Sequence, residues 1–372
     1  MIKKILIGVS LFNISLIIFA GIYGYINYKK IVVKPNQPIV SIQPTPTLDP
    51  LRPYSILLLG YGGGTHDGTY LTDSIIVARV EPKNKKITLI SVPRDLWVPI
   101  PITATEDKNF KVNAAYSIGN DNKRYPQKKV EFTGAAGGGE LAKYVVGRIV
   151  GFNIDYFAAL DFQGFTKTVD ILGGINVPIQ TTFDDYLYPI GDKEKDTCGK
   201  SDEEIKALTA TISASKLEES FTCRYEHLHF DAGSQTMDGQ TALKFVRSRH
   251  SLQDDGDFGR SLRQKLVITS IKNKIINSNF IPKIIPFINT ISANLKTDMD
   301  FNKMHEFINN ASELSQYKIE SIALTDKNVL EQGKSADGQY VLLPKAGDNN
   351  WTEVQNFINN PASSPNYSQF PN

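Results

Sequence analysis

The sequence predicts an α/β or α+β fold, a central sheet sandwiched by helices. Three observations carry this expectation. Apolar runs of strand length stand at 54–59, 75–80, 87–92 and 156–162. Longer stretches with helical patterning stand at 139–151, 163–173, 258–277 and 300–315. The two kinds of segment interleave, so apolar faces of both must be buried against each other. Residues 54–358 show no internal repeat and no second composition break, and are read as one domain with a polar insertion at about 186–226.

Tyr54-Ser55-Ile56-Leu57-Leu58-Leu59 is a short apolar run ended by Gly60-Tyr61-Gly62-Gly63-Gly64, a buried strand entering a loop. Asp73-Ser74 opens the next strand, Ile75 to Val80, and a polar hairpin at Lys83 to Lys86 leads into Ile87 to Val92. That strand delivers Pro93-Arg94-Asp95. Asp73 and Arg94 are thus expected at the ends of neighbouring strands, where a carboxylate can hold a metal ion and a guanidinium a phosphate. The glycine run 137–139 reads as a flexible entry to the helix from Glu140, with an anion-binding helix start as the alternative.

Arg247, Arg249, Arg260 and Arg263, with Arg224 upstream, crowd around the acidic residues Asp254, Asp255 and Asp257. Arginine presents a planar fork of donors that matches phosphate oxygens two at a time and stays charged at any accessible pH. Arg247-Ser248-Arg249 reads as an extended strand, on which the two guanidiniums share one side because side chains alternate faces with period two. If Phe258 to Asn273 is helical, Asp257, Arg260, Arg263 and Gln264 share one helix face. Alone, the segment also fits Asp/Arg pairs on a solvated helix; the Asp73 and Arg94 strand ends add weight to a phosphate site.

The amino terminus places the protein. Lys3 and Lys4 precede an apolar stretch from Ile5 to Ile26, and Lys29-Lys30 follow it. About 20 such residues span a bilayer as a helix. With only Phe19-Ala20-Gly21 as a weak cleavage signal, an uncleaved anchor is expected, residues 1–30 forming a short basic end and a transmembrane helix. Six prolines from Pro35 to Pro53 make residues 31–53 a stiff spacer, and 359–372 reads as a flexible tail. Ile281 to Ile288 is apolar enough to cover a lipid, and equally suits a packed core.

The formal net charge of +2 gives no case for nucleic acid as a partner. Cys198 and Cys223 flank the polar segment Lys200 to Ser220; on the oxidising side of a membrane they suit a disulfide, with two free thiols as the alternative.

Taken in order, several strings resemble the LytR-CpsA-Psr family of cell-envelope glycopolymer transferases. They are Thr72-Asp73-Ser74, Ser91-Val92-Pro93-Arg94-Asp95, Lys111-Val112-Asn113-Ala114-Ala115-Tyr116, Asp161-Phe162-x-Gly164-Phe165, Val169-Asp170-x-Leu172-Gly173-Gly174-Ile175, Leu243-x-x-Val246-Arg247-Ser248-Arg249 and Asp257-Phe258-Gly259-Arg260-x-x-Arg263-Gln264. Short motifs gain force from order and spacing, here over roughly 300 residues. The resemblance implies a central mixed sheet and an extracytoplasmic domain on a single-pass membrane anchor.

It also implies phosphoryl transfer from a polyprenyl-pyrophosphate-linked glycan donor, with membrane lipid at hand, to a peptidoglycan hydroxyl. Arg94, Arg249, Asp257 and Arg260 would be catalytic. Arg94, Arg247, Arg249, Arg260, Arg263 and Gln264 would bind the pyrophosphate, and Asp73 would hold Mg2+. Two positions depart from the family: Gly62 stands where an aspartate is usual and Leu71 where an arginine is usual. Asp67 or His66, in the same loop, is a possible substitute ligand. The departures keep two alternatives open, a non-catalytic binder of lipid-linked glycans and a hydrolase that gives the phosphate to water.

Overall fold

The computed structural model describes residues 25–26, 28–36, 51–64, 68–211, 214–251, 253, 256–277, 290–300, 302–304, 306 and 311–361. Expectations for the apolar stretch before Tyr25, for most of the proline-rich spacer, for Ile281 to Ile288 and for the tail after Pro361 lie outside these residues. Among the described residues, no helix is long and apolar enough to cross a membrane.

The first half of the chain builds strands β1 (Tyr54–Tyr61), β2 (Thr72–Glu81), β3 (Lys86–Ser91) and the hairpin β4 (Trp97–Pro101) and β5 (Asp107–Lys111). Helices α1 (Ala114–Asn120) and α2 (Gly137–Val150) follow, then β6 (Tyr156–Asp161) and α3 (Phe162–Ile171). Next come β7 (Ile175–Ile179), β8 (Phe183–Pro189), α4 (Asp202–Thr211), α5 (Ala214–Glu219), β9 (Tyr225–Phe230) and β10 (Gly233–Met237). The last third contains α6 (Gly239–Arg247), α7 (Gly256–Asn277), β11 (Leu295–Thr297), β12 (Lys318–Ala323), β13 (Leu330–Lys334), β14 (Tyr340–Pro344) and α8 (Thr352–Asn359).

Six strands form one mixed sheet in the order β11-β6-β1-β2-β3-β12. β1 pairs with β6 in parallel and β3 with β12 in parallel, while β2 runs antiparallel to both β1 and β3. The carboxyl ends of β1, β3, β6 and β12 therefore meet the amino end of β2 along one edge. Side chains alternate between faces. Leu57, Leu59, Val77 and Ile90 enter the main core with Leu141, Val145 and Ile149 of α2. Ile56, Leu58, Ile76 and Leu89 face the other way and meet Ile268 of α7. Helices thus cover both faces, as the alternating pattern predicts.

Two helix starts are fixed by side chains that accept an otherwise unsatisfied backbone N–H. Asp161 accepts from Gly164 N at 2.7 Å to begin α3, and Asp238 accepts from Thr241 N at 2.8 Å to begin α6. The second cap changes the reading of Arg247-Ser248-Arg249. Arg247 is the last residue of a helix, so its side chain does not share a strand face with Arg249. The cap, together with the burial of Ala242, Leu243 and Phe245, outweighs the extended pattern expected locally.

The glycine run 137–139 is also corrected. It forms the buried first turn of α2 and not a flexible loop. A Cβ on Gly139 would lie 2.1 Å from Phe157 Cε1, so glycine lets the helix settle on β6. At 300–315, where helical patterning was expected, the described residues 302–304 and 306 are α-helical and Ala311–Gln316 is a 3-10 helix.

A satellite core gathers Phe183, Leu228 and Phe230 of the β8–β9 hairpin with Val169, Phe245 and Val267. Cys198 and Cys223 form a disulfide with Cα atoms 5.6 Å apart, closing off α4 and α5 beyond that hairpin.

Candidate active site

The edge where β1, β3 and β6 end and β2 begins is the place where chemistry-bearing residues collect. Asp73, second residue of β2, meets Arg94, three residues past β3: Arg94 Nη1 donates to Asp73 Oδ1 at 2.5 Å. Arg94 Nε reaches Asp95 Oδ2 at 3.4 Å, and Lys111 Nζ donates to Asp95 Oδ1 at 2.7 Å. Backbone bonds tie this together, since Asn113 N donates to the Arg94 carbonyl and Thr72 N to the Asn113 carbonyl. The Lys111-Val112-Asn113 segment thereby locks Arg94 to the start of β2.

Burial works against the Arg94 charge, but the carboxylates of Asp73 and Asp95 more than offset it and hold the guanidinium above its ordinary pKa. Burial likewise pushes the Asp95 carboxyl up. The Lys111 hydrogen bond and the charges of Arg94, Lys111 and Arg249 outweigh it and leave Asp95 below the usual carboxylate range. The same balance brings Arg249 into the group. Arg94 and Lys111 pair with the two carboxylates Asp73 and Asp95, and Arg249 adds positive charge that is felt at Asp95.

Arg249 sits on a loop that two charged side chains fix from below. The Asp185 carboxylate of β8, fully buried, accepts from Ser248 Oγ at 2.7 Å, Arg249 N at 3.1 Å and His250 N at 3.2 Å through one oxygen. Its other oxygen accepts from Leu187 N at 2.9 Å. Arg263, 1% exposed, donates from Nη2 to the Ser248 carbonyl at 2.6 Å and lies over the Phe183 ring. A buried carboxylate is stable only when its oxygens are so satisfied.

Helix α7 closes the site from the other face. Ser261 and Ser91 hydroxyls are 2.8 Å apart, and Gln264 Nε2 donates to Ser74 Oγ at 3.1 Å. Arg260, buried, lines a small cavity with Ser74, Ser91, Val92 and Pro93, one residue from Arg94.

Of the residues expected from sequence, the structure gathers Asp73, Arg94, Arg249, Arg260 and Gln264 at this edge. Arg263 lies under the Arg249 loop and bonds its backbone. Arg247 stacks over the Phe162 ring at 4.4 Å and donates to Tyr188 Oη at 3.3 Å. Arg224 belongs to the insertion, where it donates to the Asp196 carbonyl and covers Phe221. His66, Asp67, Asp254, Asp255 and the side chain of Asp257 lie outside the described residues. Gly62 follows the end of β1, and Leu71 is 38% exposed just before β2. Sequence reasoning gave no role to Asp95, Lys111 or Asp185. Asp95 and Lys111 stood inside recognised strings, so their nearness to Arg94 was within reach; Asp185 sits in an ordinary polar stretch with no signal of burial.

The model described as the LytR_cpsA_psr family matches residues 22–356. A teichoic acid transferase of Enterococcus faecalis, named polyisoprenyl-teichoic acid–peptidoglycan teichoic acid transferase TagU, is 27% identical over 79% of this chain and 79% of its own. The biofilm regulatory protein A of Streptococcus mutans is 28% identical over 68% of this chain, and the TagV transferase of Bacillus subtilis 26% identical over 75%. The chain spans only 51% and 58% of those two relatives. Among solved structures, B. subtilis TagV superposes with a TM-score of 0.54 at 23% identity, covering 86% of this chain and 99% of that one. The structure described as TagT bound to LI-WTA has a TM-score of 0.52 at 21% identity, covering 89% and 98%. These likenesses show the same mixed α/β fold. With the family model covering the chain from before β1 to within α8, this protein belongs to the LytR-CpsA-Psr family.

Proposed function

We propose that the protein is a phosphotransferase that moves a glycopolymer from a polyprenyl-pyrophosphate carrier to a peptidoglycan sugar hydroxyl. The observation that carries this reading is Arg94, held between Asp73 and Asp95 at the strand ends, with the charge of Arg249 felt at Asp95 and Arg260 lining the adjoining cavity. The names of the E. faecalis and B. subtilis relatives, both polyisoprenyl-teichoic acid–peptidoglycan teichoic acid transferases, support it.

Phosphoryl transfer needs charge neutralisation and in-line positioning more than covalent help. Arg94, Arg249 and Arg260 clamp the pyrophosphate oxygens, and Gln264 steadies the Ser74 side of the clamp. Asp95 and Lys111 aim Arg94, while Asp185 and Arg263 hold the loop that presents Arg249. The acceptor oxygen bonds to the glycan-linked phosphorus as the bridging P–O bond breaks, polyprenyl phosphate leaves, and the hydroxyl proton is released.

Asp73, whose Oδ1 takes Arg94, has a second carboxylate oxygen at this edge, a hard donor that suits magnesium, which commonly pairs one or two carboxylates with substrate phosphates; both oxygens of Asp95 are engaged by Arg94 and Lys111. Asp73 would hold the ion, which when bound supplies charge neutralisation on the pyrophosphate. The apolar Ile5 to Ile26 stretch supports a single-pass anchor, and a peptidoglycan acceptor requires the domain to lie outside the cytoplasm.

The test is to give the detergent-solubilised full chain a polyprenyl-pyrophosphate glycan, magnesium and peptidoglycan, and to measure lipid phosphate with and without acceptor. Release that requires acceptor supports the transferase. Equal release into water means a hydrolase, and binding without release means a carrier-glycan binder.

A further inference from the structure

The β8–β9 hairpin carries a second cluster, remote in chemistry from the arginine site. His227 and His229 are two residues apart on β9 and so share a face of the strand. Asp184 of β8 pairs directly with His229 across the hairpin. His227 Nε2 and His229 Nδ1 lie 2.7 Å and 2.8 Å from the same oxygen, Asp184 Oδ1. Both histidines are more than 40% exposed, so a solvated ion reaches them.

We infer that Asp184, His227 and His229 form a binding site for one divalent transition-metal ion of zinc's class. The three ligand atoms lie within 4.8 Å of one another. Two imidazoles and one carboxylate, with solvent for a fourth position, are a donor set that zinc accepts and magnesium does not favour. Two features beyond the ligand triad fit the same reading. His229 turns its other nitrogen, Nε2, to Asp231 Oδ1 at 3.1 Å, the carboxylate–histidine arrangement that fixes the tautomer of a metal-binding imidazole. Tyr186 stacks on His227 at 4.1 Å and 3° between planes, which orients that ring.

Such an ion would pin β8 to β9 next to Asp185, whose carboxylate holds the Arg249 loop, and Asp184 N donates to Gln253 Oε1 at 3.1 Å just beyond that loop. The site is therefore a cross-strand staple at the base of the disulfide-closed insertion.

The test uses the full chain in detergent, free of any polyhistidine tag and stripped with chelator, titrated with Zn2+ alone by calorimetry. One zinc per chain should bind and raise the thermal unfolding temperature, and excess Mg2+ should not displace it. His229→Gln and His227→Gln should each weaken binding by at least about tenfold, as should Asp231→Asn, which keeps the ligands but alters their support. Because all three positions are on the exposed face, these variants should retain the metal-free unfolding temperature. Absence of saturable zinc binding by the native chain would overturn the proposal. So would unchanged affinity in the His227→Gln/His229→Gln double variant.

Discussion

The fully buried carboxylate of Asp185 accepts a hydrogen bond from the backbone N–H of Arg249 at 3.1 Å, so the loop that carries this arginine is fixed by a residue 64 positions earlier. The neighbouring Ser248 and His250 bonds to the same oxygen make this a loop clamp and not a side-chain ion pair.

Replacing Asp185 by Ala should strand buried donors, each worth about 1–3 kcal/mol when unsatisfied. A loss of about 3 kcal/mol in unfolding free energy is expected, read from denaturant titration. Turnover should also fall by at least about tenfold at temperatures where the variant is folded. Asp185→Asn, which keeps one acceptor oxygen, should lie between the two proteins. A folded Asp185→Ala protein with native turnover would separate the clamp from catalysis.

Asp95 and Lys111 give a pH signature. The Asp95 carboxyl is lowered in the folded protein, so its stabilising contribution is present above the ordinary carboxylate range and is lost as pH falls through the folded value. Lys111→Met removes the hydrogen bond and a charge that lower it. The variant should be less stable at neutral pH, its stability should vary less between about pH 5 and pH 2, and the gap between the two proteins should close at the acid end. Parallel curves of urea midpoint against pH would contradict this.

How much was legible in the sequence varies with the physics involved. β1, β2, β3, β6 and α7 were readable because each buries a strip of apolar side chains whose period survives in the sequence. The placement of Asp73 and Arg94 followed from that, since strand ends fix where their next residues go. The helix at Gly239–Arg247 was missed whole, because its start is fixed by the Asp238 cap and its face by the burial of Ala242, Leu243 and Phe245, while the string Arg247-Ser248-Arg249 by itself also fits a strand. Asp185 and Arg263 were unreadable as loop clamps, because a buried charge is decided by partners far along the chain. The glycine run 137–139 failed for the same reason: what looks like freedom is space taken by Phe157, Asn120 and the Gly119 backbone.

Gly139→Ala tests that last point. Alanine in place of glycine inside a helix ordinarily stabilises by about 1 kcal/mol. Here the new Cβ would meet the Phe157 ring at 2.1 Å, and overpacking a filled core costs about 1–3 kcal/mol. The net effect should be a lower unfolding temperature; a rise would mean that the α2–β6 contact is loose.

The disulfide should matter for stability and not for chemistry. Opening a loop of 25 residues costs about 3.5 kcal/mol in the chain-entropy account. Cys198→Ser/Cys223→Ser should expose the 190–224 segment to protease while acceptor-dependent transfer stays near native. Loss of transfer at native protease resistance would show that the insertion takes part in the reaction.

The central claim is that Arg94 and Arg249 jointly clamp a pyrophosphate. It is tested most directly by acceptor-dependent release of polyprenyl phosphate, measured for the native chain, Arg94→Ala, Arg249→Ala and Arg249→Lys at matched folded fraction. Both alanine variants should lose at least about a hundredfold in turnover, and lysine should recover little, because a point charge cannot replace the fork. Near-native release from both alanine variants would contradict the site.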